Sequence, residues 1–187
     1  MKKTLFMFCC LLPVLALSTV EADDADDSAN DGQTVVESDY IQHPENFLHI
    51  NKHCKLCAVG RRAKAGCVVA KDGKVLLVRD YNSKKWGLPG GTKNKDEVAA
   101  MTAFRETLEE TGLVVYIDDF ISEMRNGFRL FKCKIIKDTG KITGDTLEFK
   151  YFTKNDLFEL LQKPNRKDLR FTGDVELIYN KFEWIVR

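Results

Sequence analysis

The sequence predicts an α/β fold, with one mixed sheet packed between helical layers. Three observations lead there. Short strand-like runs flank and follow one long central helical stretch. Two Asx-Gly pairs, Asp72-Gly73 and Asn126-Gly127, mark hairpin turns, and two amphipathic segments near the C-terminus can cover a sheet face. A length of 187 residues with 44% hydrophobic content suffices for one domain with a real core. The formal net charge is +1, and Lys and Arg are spread along the chain, so no nucleic-acid partner is expected. No internal repeat is visible.

Residues 1–22 read as a signal peptide. Met1-Lys2-Lys3 is a short positive start, Leu5 to Leu17 an apolar run interrupted by Pro13, and Val20-Glu21-Ala22 a cleavage site. The run is short for a membrane span, so the alternative of a retained anchor ranks second and no stable membrane anchor is expected after cleavage. Neither Cys9 nor Cys10 follows the small residues of a lipoprotein box. Cleavage after Ala22 removes Lys2, Lys3 and Glu21 and leaves no formal net charge. The expected location is exported, periplasmic or secreted. Residues 23–50 read as an acidic, largely disordered leader, within which Phe47, Leu48 and Ile50 carry no firm assignment. Residues 51–62 form an extension containing Cys54-Lys55-Leu56-Cys57. This CxxC has three readings: a short-range disulfide, favoured in an exported chain; half of a zinc site completed by Cys67, His49 or His53; or a redox pair. Cys67 and Cys133 fall in apparent strands and read as buried small apolar residues.

The folded domain is expected over residues 63–187. Gly66 to Ala70 and Val75 to Arg79 are strand-like around the Asp-Gly turn. Tyr81 to Lys85 is a polar loop. Leu113 to Ile117 is a strand, and Phe120 to Met124 pairs with Phe128 to Ile136 across Asn126-Gly127. Leu147 to Phe152 alternates, then Thr153 N-caps a helix from Lys154 to Gln162 that Pro164 ends. Gly173 to Val186 places Val175, Leu177, Ile178, Phe182 and Ile185 on one side of a last helix.

Gly91 to Leu113 carries the most chemistry. It reads as a loop running into a helix, with Asp96 as N-cap and Gly112 as the left-handed C-terminal stop. Ala100, Met101, Phe104, Leu108 and Thr111 share an apolar arc. Glu106, Glu109 and Glu110 stand opposite, at i, i+3 and i+4, where like charges repel and where the last turns of a helix prefer cations. Such a face is either a solvated acidic surface or one that holds a cation, and hard divalent ions prefer oxygen ligands of this kind. Upstream, the Gly87, Gly90 and Gly91 backbone permits tight turns and close approach. Trp86 reads first as a core aromatic beneath the loop and second as a substrate contact.

The stretch resembles the Nudix signature. Gly91, Glu97, Arg105, Glu106, Leu108, Glu109, Glu110, Gly112 and Leu113 stand at its spacings, and Trp86 to Gly91 is similar to its usual lead-in. Thr107 departs, standing where the family has Ile, Leu or Val. The resemblance implies an α/β/α sandwich with a mixed sheet. It also implies hydrolysis of a diphosphate in a nucleoside diphosphate linked to another moiety, with Mg²⁺ or Mn²⁺. Glu106, Glu109, Glu110 and the Gly91 carbonyl would hold the metal. Glu97 and Arg105 would pair to brace the loop, with Gly90 and Gly112 supporting the site. The general base would be Glu109 or Glu110, or a glutamate outside the helix such as Glu123 or Glu148. Catalytic roles thus fall on Glu106, Glu109, Glu110 and Arg105. The alternative is a Nudix-fold module that binds a nucleotide without cutting it, but such a module is free to lose Glu109 or Glu110, and both are present. Arg79, Lys84, Lys85, Arg125 and Arg129 read first as solvated surface charges and second as cations that meet phosphate; Tyr81, Phe128 and Phe171 read first as core aromatics and second as residues that stack on a base. Nothing in the sequence selects one diphosphate substrate or an oligomeric state.

Overall fold

The computed structural model describes residues 49–57 and 62–187. The signal peptide, nearly all of the acidic leader, with Phe47 and Leu48, and the end of the CxxC extension lie outside the described residues. In chain order the strands are β1 (His49–Ile50), β2 (Ala65–Lys71), β3 (Lys74–Asp80), β4 (Trp86–Gly87), β5 (Gly90–Gly91), β6 (Leu113–Glu123), β7 (Arg129–Asp138) and β8 (Thr146–Phe152). The helices are α1 (Ala99–Thr111), α2 (Lys154–Leu161) and α3 (Thr172–Ile185), with a 3-10 turn at Asn165–Asp168.

The strands form one mixed sheet in the order β1-β6-β7-β2-β3-β4, with β5 also paired to β2 and β8 to β3. The β2–β7 and β1–β6 pairs are parallel; β2–β3, β3–β8 and β6–β7 are antiparallel. Side-chain alternation divides the core into two layers. Cys67, Val69, Leu76, Val78, Phe131 and Cys133 pack with Phe104 and Leu108 of α1. The intervening Val68, Val75, Leu77 and Leu130 pack with Leu157 of α2 and Val175, Ile178 and Phe182 of α3. The sheet is therefore sandwiched between α1 and the α2–α3 pair, the architecture expected from the sequence.

Local signals set most boundaries. Asp72 and Gly73 both take positive φ, 49° and 69°, as a tight hairpin turn requires. Thr153 and Asp156 cap α2 reciprocally. Pro164 lies beyond the end of α2, which stops at Leu161, one residue earlier than predicted. The two runs expected after the central helix are one strand, β6, whose register against β7 shifts at three places.

Two expectations about the central helix are overturned. Asp96 does not cap α1: its carboxylate is exposed and meets Arg62 at 3.1 Å, while Val98 holds the N-cap position without a side-chain bond. The helix starts late because the preceding residue, Glu97, turns inward to Arg105. Met101 lies only partly buried, whereas Ala103 and Thr107 are fully covered, so the buried face is wider than the predicted arc.

Cys67 and Cys133 are not separate buried thiols. Parallel strands β2 and β7 put their Cα atoms 5.6 Å apart, within disulfide reach, and they are bonded. This bridge closes a sequence separation of 66 residues, worth about 4 kcal/mol in the chain-entropy account. Cys54 and Cys57 are bonded to each other, which leaves neither sulfur available as a zinc ligand.

Candidate active site

The site is built on the α1 surface that faces the Gly90–Gly91 loop. Two close approaches bring loop and helix together. Gly90, at φ 152°, lies against β2, and a Cβ there would come within 2.6 Å of the Gly66 Cα. At Gly91 a Cβ would meet the Glu106 carboxylate at 2.5 Å, so only glycine lets that carboxylate lie over the loop. The far end of α1 closes on Gly112, at φ 71°, whose N–H donates to Leu108 O. The loop after β7 then caps the helix: the Thr143 and Gly144 amides both donate to Glu109 O, at 2.9 and 2.7 Å.

Arg105 is the hub. Its Nε donates to Glu97 Oε1 at 2.6 Å and its Nη2 to Glu97 Oε2 at 3.0 Å, a bidentate pair with both side chains about 8% exposed. Nη2 also reaches Thr92 O and Glu106 Oε1, and Nη1 reaches Glu109 Oε2 at 2.8 Å. Glu97 further accepts from the Asn94 amide and the Thr102 hydroxyl. Burial pushes the Glu97 carboxyl up, but these bonds outweigh it and hold the group below its ordinary value. Burial likewise works against the Arg105 charge, and the surrounding glutamates overcome it.

The three helix glutamates are not a solvated face. Glu106, Glu109 and Glu110 line one cavity of about 570 Å³ with Gly91, Asp145 and Arg170. Burial, helped by Glu109 and Glu97 against the pull of Arg105, raises the Glu106 carboxyl. Burial also pushes Glu110 up to about 8, opposed by the Gly90 amide at 2.8 Å. Among the described residues no three His, Cys, Asp or Glu side chains are gathered tightly enough to cage an ion. Arg105 accounts for this, since it draws Glu106 and Glu109 to itself while Glu110 turns to Gly90. The donors nonetheless suit a hard divalent cation in kind, because the surroundings of the part-buried Glu106 and Glu110 penalise a negative charge that a cation would offset.

Thr107, the departure from the signature, is fully buried, and its hydroxyl donates to Ala103 O at 2.7 Å. That bond within the helix lets a hydroxyl occupy an aliphatic position.

A second cavity, of about 220 Å³, adjoins the first and shares Gly90, Gly91, Thr92 and Arg170 with it. Leu88, Phe128 and Phe171 supply its apolar walls, and Asn126 and Asp174 its polar ones. Of the aromatics singled out, Phe128 and Phe171 line it; Tyr81 does not. Trp86 lines neither cavity and stacks edge-on against Phe152 at 5.0 Å. Glu123 and Glu148 also line neither: Glu148 pairs with Arg79 and Lys150, and Glu123 lies 3.8 Å from Arg129. None of the five predicted cations reaches a cavity wall. Arg129, for one, is buried against Phe120 and donates to Leu56 O. Arg170 does reach both, and it escaped the sequence reading. No local pattern marks it; it arrives through pairing of its amide with Trp86 O at 2.7 Å.

Burial raises the Asp174 carboxyl to about 6, with Arg170 pulling the other way. The folded chain therefore holds this proton more tightly than the unfolded chain, so ionisation opposes folding. The penalty is absent below the ordinary value of 3.8, grows between there and about 6, and is constant above. Asp174→Asn is expected to stabilise the fold by about 1–2 kcal/mol at pH 7, a few degrees in Tm, and by nothing at pH 3.5. Thermal melts at the two pH values check this; an equal shift at both would refute the account.

Comparison with known proteins follows the same region. The NUDIX domain family matches residues 60–170, more than half of the chain. A MutT-like protein from Streptomyces ambofaciens is 30% identical over 100 residues, 51% of this chain and 65% of that protein. A Xenopus laevis protein named nucleoside diphosphate-linked moiety X motif 6 is 48% identical over 52 residues, 26% of this chain and 24% of that one. The chain thus spans less than two thirds of either curated relative. A solved NUDIX hydrolase from Nitrosomonas europaea superposes with a TM-score of 0.55 at 17% identity, covering 66% of this chain and 90% of that one, a likeness of fold.

Proposed function

The chain belongs to the Nudix family, and we propose on that footing that it is a pyrophosphohydrolase dependent on a divalent cation, Mg²⁺ or Mn²⁺. Its substrate would be a small molecule in which a nucleoside diphosphate is linked to another moiety. The observation that carries this reading is the pair of joined cavities. One is walled by three carboxylates of a single helix, the other by aromatic and aliphatic side chains, as a polyanionic linkage joined to an organic ring requires.

Glu106, Glu109, Glu110 and the Gly91 carbonyl would hold the ion. When bound, it would supply Lewis-acid neutralisation of the diphosphate oxygens. The protein's own part is positional. Arg105, locked to Glu97, fixes the orientation of Glu106 and Glu109 and ties them to the loop at Thr92. The amides of Thr143 and Gly144 hold the end of the helix that carries Glu109 and Glu110. Glu109 and Glu110 remain the candidate bases, since both line the carboxylate cavity. The apolar cavity, with Phe128 and Phe171 on its walls, seats the organic half and excludes water from it.

Export also belongs to this proposal. Its support is the two disulfides, which persist in oxidising compartments. Mass spectrometry of protein recovered outside the cytoplasm should find an N-terminus at Asp23; an intact Met1 would sink the idea.

The catalytic reading is tested by phosphate-product release across nucleoside diphosphate derivatives and triphosphates, with Mg²⁺, with Mn²⁺ and with chelator. Cleavage of one class that stops on chelation is the expected result. Binding without cleavage would establish the alternative, a nucleotide-binding module.

A further inference from the structure

We infer that Arg170 is a phosphate clamp, gripping the substrate where its diphosphate passes from the carboxylate cavity into the apolar one, and that Gly87 is the residue that seats it. The inference rests on the diphosphate reading above. Arg170 is the one cationic side chain among the described residues that lines both cavities. Lys64 lines only the apolar one. Arg105 lines only the carboxylate one, and its donors are taken by Glu97, Glu106, Glu109 and Thr92. A linkage that runs from one cavity to the other passes the shared wall of Gly90, Gly91, Thr92 and Arg170, on which Arg170 is the cation.

The side chain is held in place without being consumed by a close ion pair. Its amide donates to Trp86 O, and the preceding Leu169 bridges to Trp86 and is buried. Its stem lies over Gly87, where a Cβ would sit 3.1 Å from the Arg170 Cδ and 3.3 Å from its Cβ. The guanidinium lies over the Phe171 ring, 5.7 Å from its centroid, and its Nη1 is 3.9 Å from Glu110 Oε1. That separation is beyond hydrogen-bond length, so the acidic neighbours attract the fork without occupying it. A planar fork of donors held at such a junction suits two phosphate oxygens.

The test compares wild type, Arg170→Ala, Arg170→Lys and Gly87→Ala as full chains. Calorimetry measures binding of methylenediphosphonate in the presence of Mn²⁺. This probe carries the diphosphate geometry with no organic half and cannot be hydrolysed. Mn²⁺ affinity alone and Tm are measured alongside. Arg170→Ala is expected to weaken probe binding by roughly 10- to 100-fold, the range for losing hydrogen bonds to a charged group, with Mn²⁺ affinity undiminished and the protein still folded. Arg170→Lys should fall between, keeping charge but losing the fork. Gly87→Ala should weaken binding too, and most of its effect should vanish when Arg170 is already Ala. Equal binding by wild type and Arg170→Ala, or no binding by wild type, overturns the clamp. So does a matching loss of Mn²⁺ affinity, which would place the action of Arg170 on Glu110 instead. Failure of the diphosphate reading looks different: wild type then cleaves and binds no member of the substrate panel.

Discussion

Glu110→Gln is expected to stabilise the metal-free protein while removing the metal-dependent turnover proposed for it. The exchange is nearly isosteric, and the amide oxygen of glutamine can still accept from the Gly90 N–H that Glu110 Oε2 accepts at 2.8 Å. What disappears is a part-buried group that the fold must keep protonated. Burial has pushed this carboxyl up to about 8, so at neutral pH the fold bears the cost of keeping a proton that the unfolded chain would release. Relieving that cost should raise stability by about 1–3 kcal/mol, several degrees in Tm. Turnover should fall on the order of 10³-fold, the consequence of losing several kcal/mol of charge stabilisation at the reacting diphosphate. Thermal melts in chelator and rate measurements in Mn²⁺ read the two effects separately. A variant that melts lower, or that keeps its rate, would show that Glu110 is a structural carboxylate rather than part of the reacting centre.

Arg105→Ala should have the largest effect on stability of any single substitution at the site. Removing the guanidinium leaves Glu97 buried without its ion pair and frees Glu106 and Glu109 to repel each other across the cavity. Breaking a buried pair from one side costs about 3–5 kcal/mol, because the remaining charge keeps its desolvation penalty. Tm should fall by roughly 10 °C or more, and activity should be lost with it because the loop is no longer tied to the helix through Thr92 O. A second substitution checks the cause. Glu97→Gln added to Arg105→Ala should recover part of the loss, since it neutralises the stranded carboxylate. If the double variant is less stable than Arg105→Ala by the full cost of Glu97→Gln alone, the two side chains do not act as a pair.

The helix that carries the candidate site was legible in the sequence because its signals are local. Gly112 stops it through the backbone conformation that glycine allows, the three glutamates fall on one side through the 3.6-residue period, and the Asp-Gly and Asn-Gly turns set the hairpins around it. The same local rules put Val175, Ile178, Phe182 and Ile185 on the buried side of the last helix. Side chains whose roles depend on distant partners escaped. Asp96 has the makings of a cap, but the pull of Arg105 on Glu97 delays the helix and leaves Asp96 outside. Cys67 and Cys133 read as two apolar strand residues until the parallel pairing of β2 and β7 brings them together. Arg170 is one of many cations in a chain of nearly balanced charge, and only its backbone pairing with Trp86 carries it to the junction of two cavities. Periodicity, caps and turns act between residues a few positions apart, so the sequence alone determined the elements and the face bearing the carboxylates. Bridges, buried charge pairs and cavity walls join residues tens of positions apart, and those the tertiary structure decided.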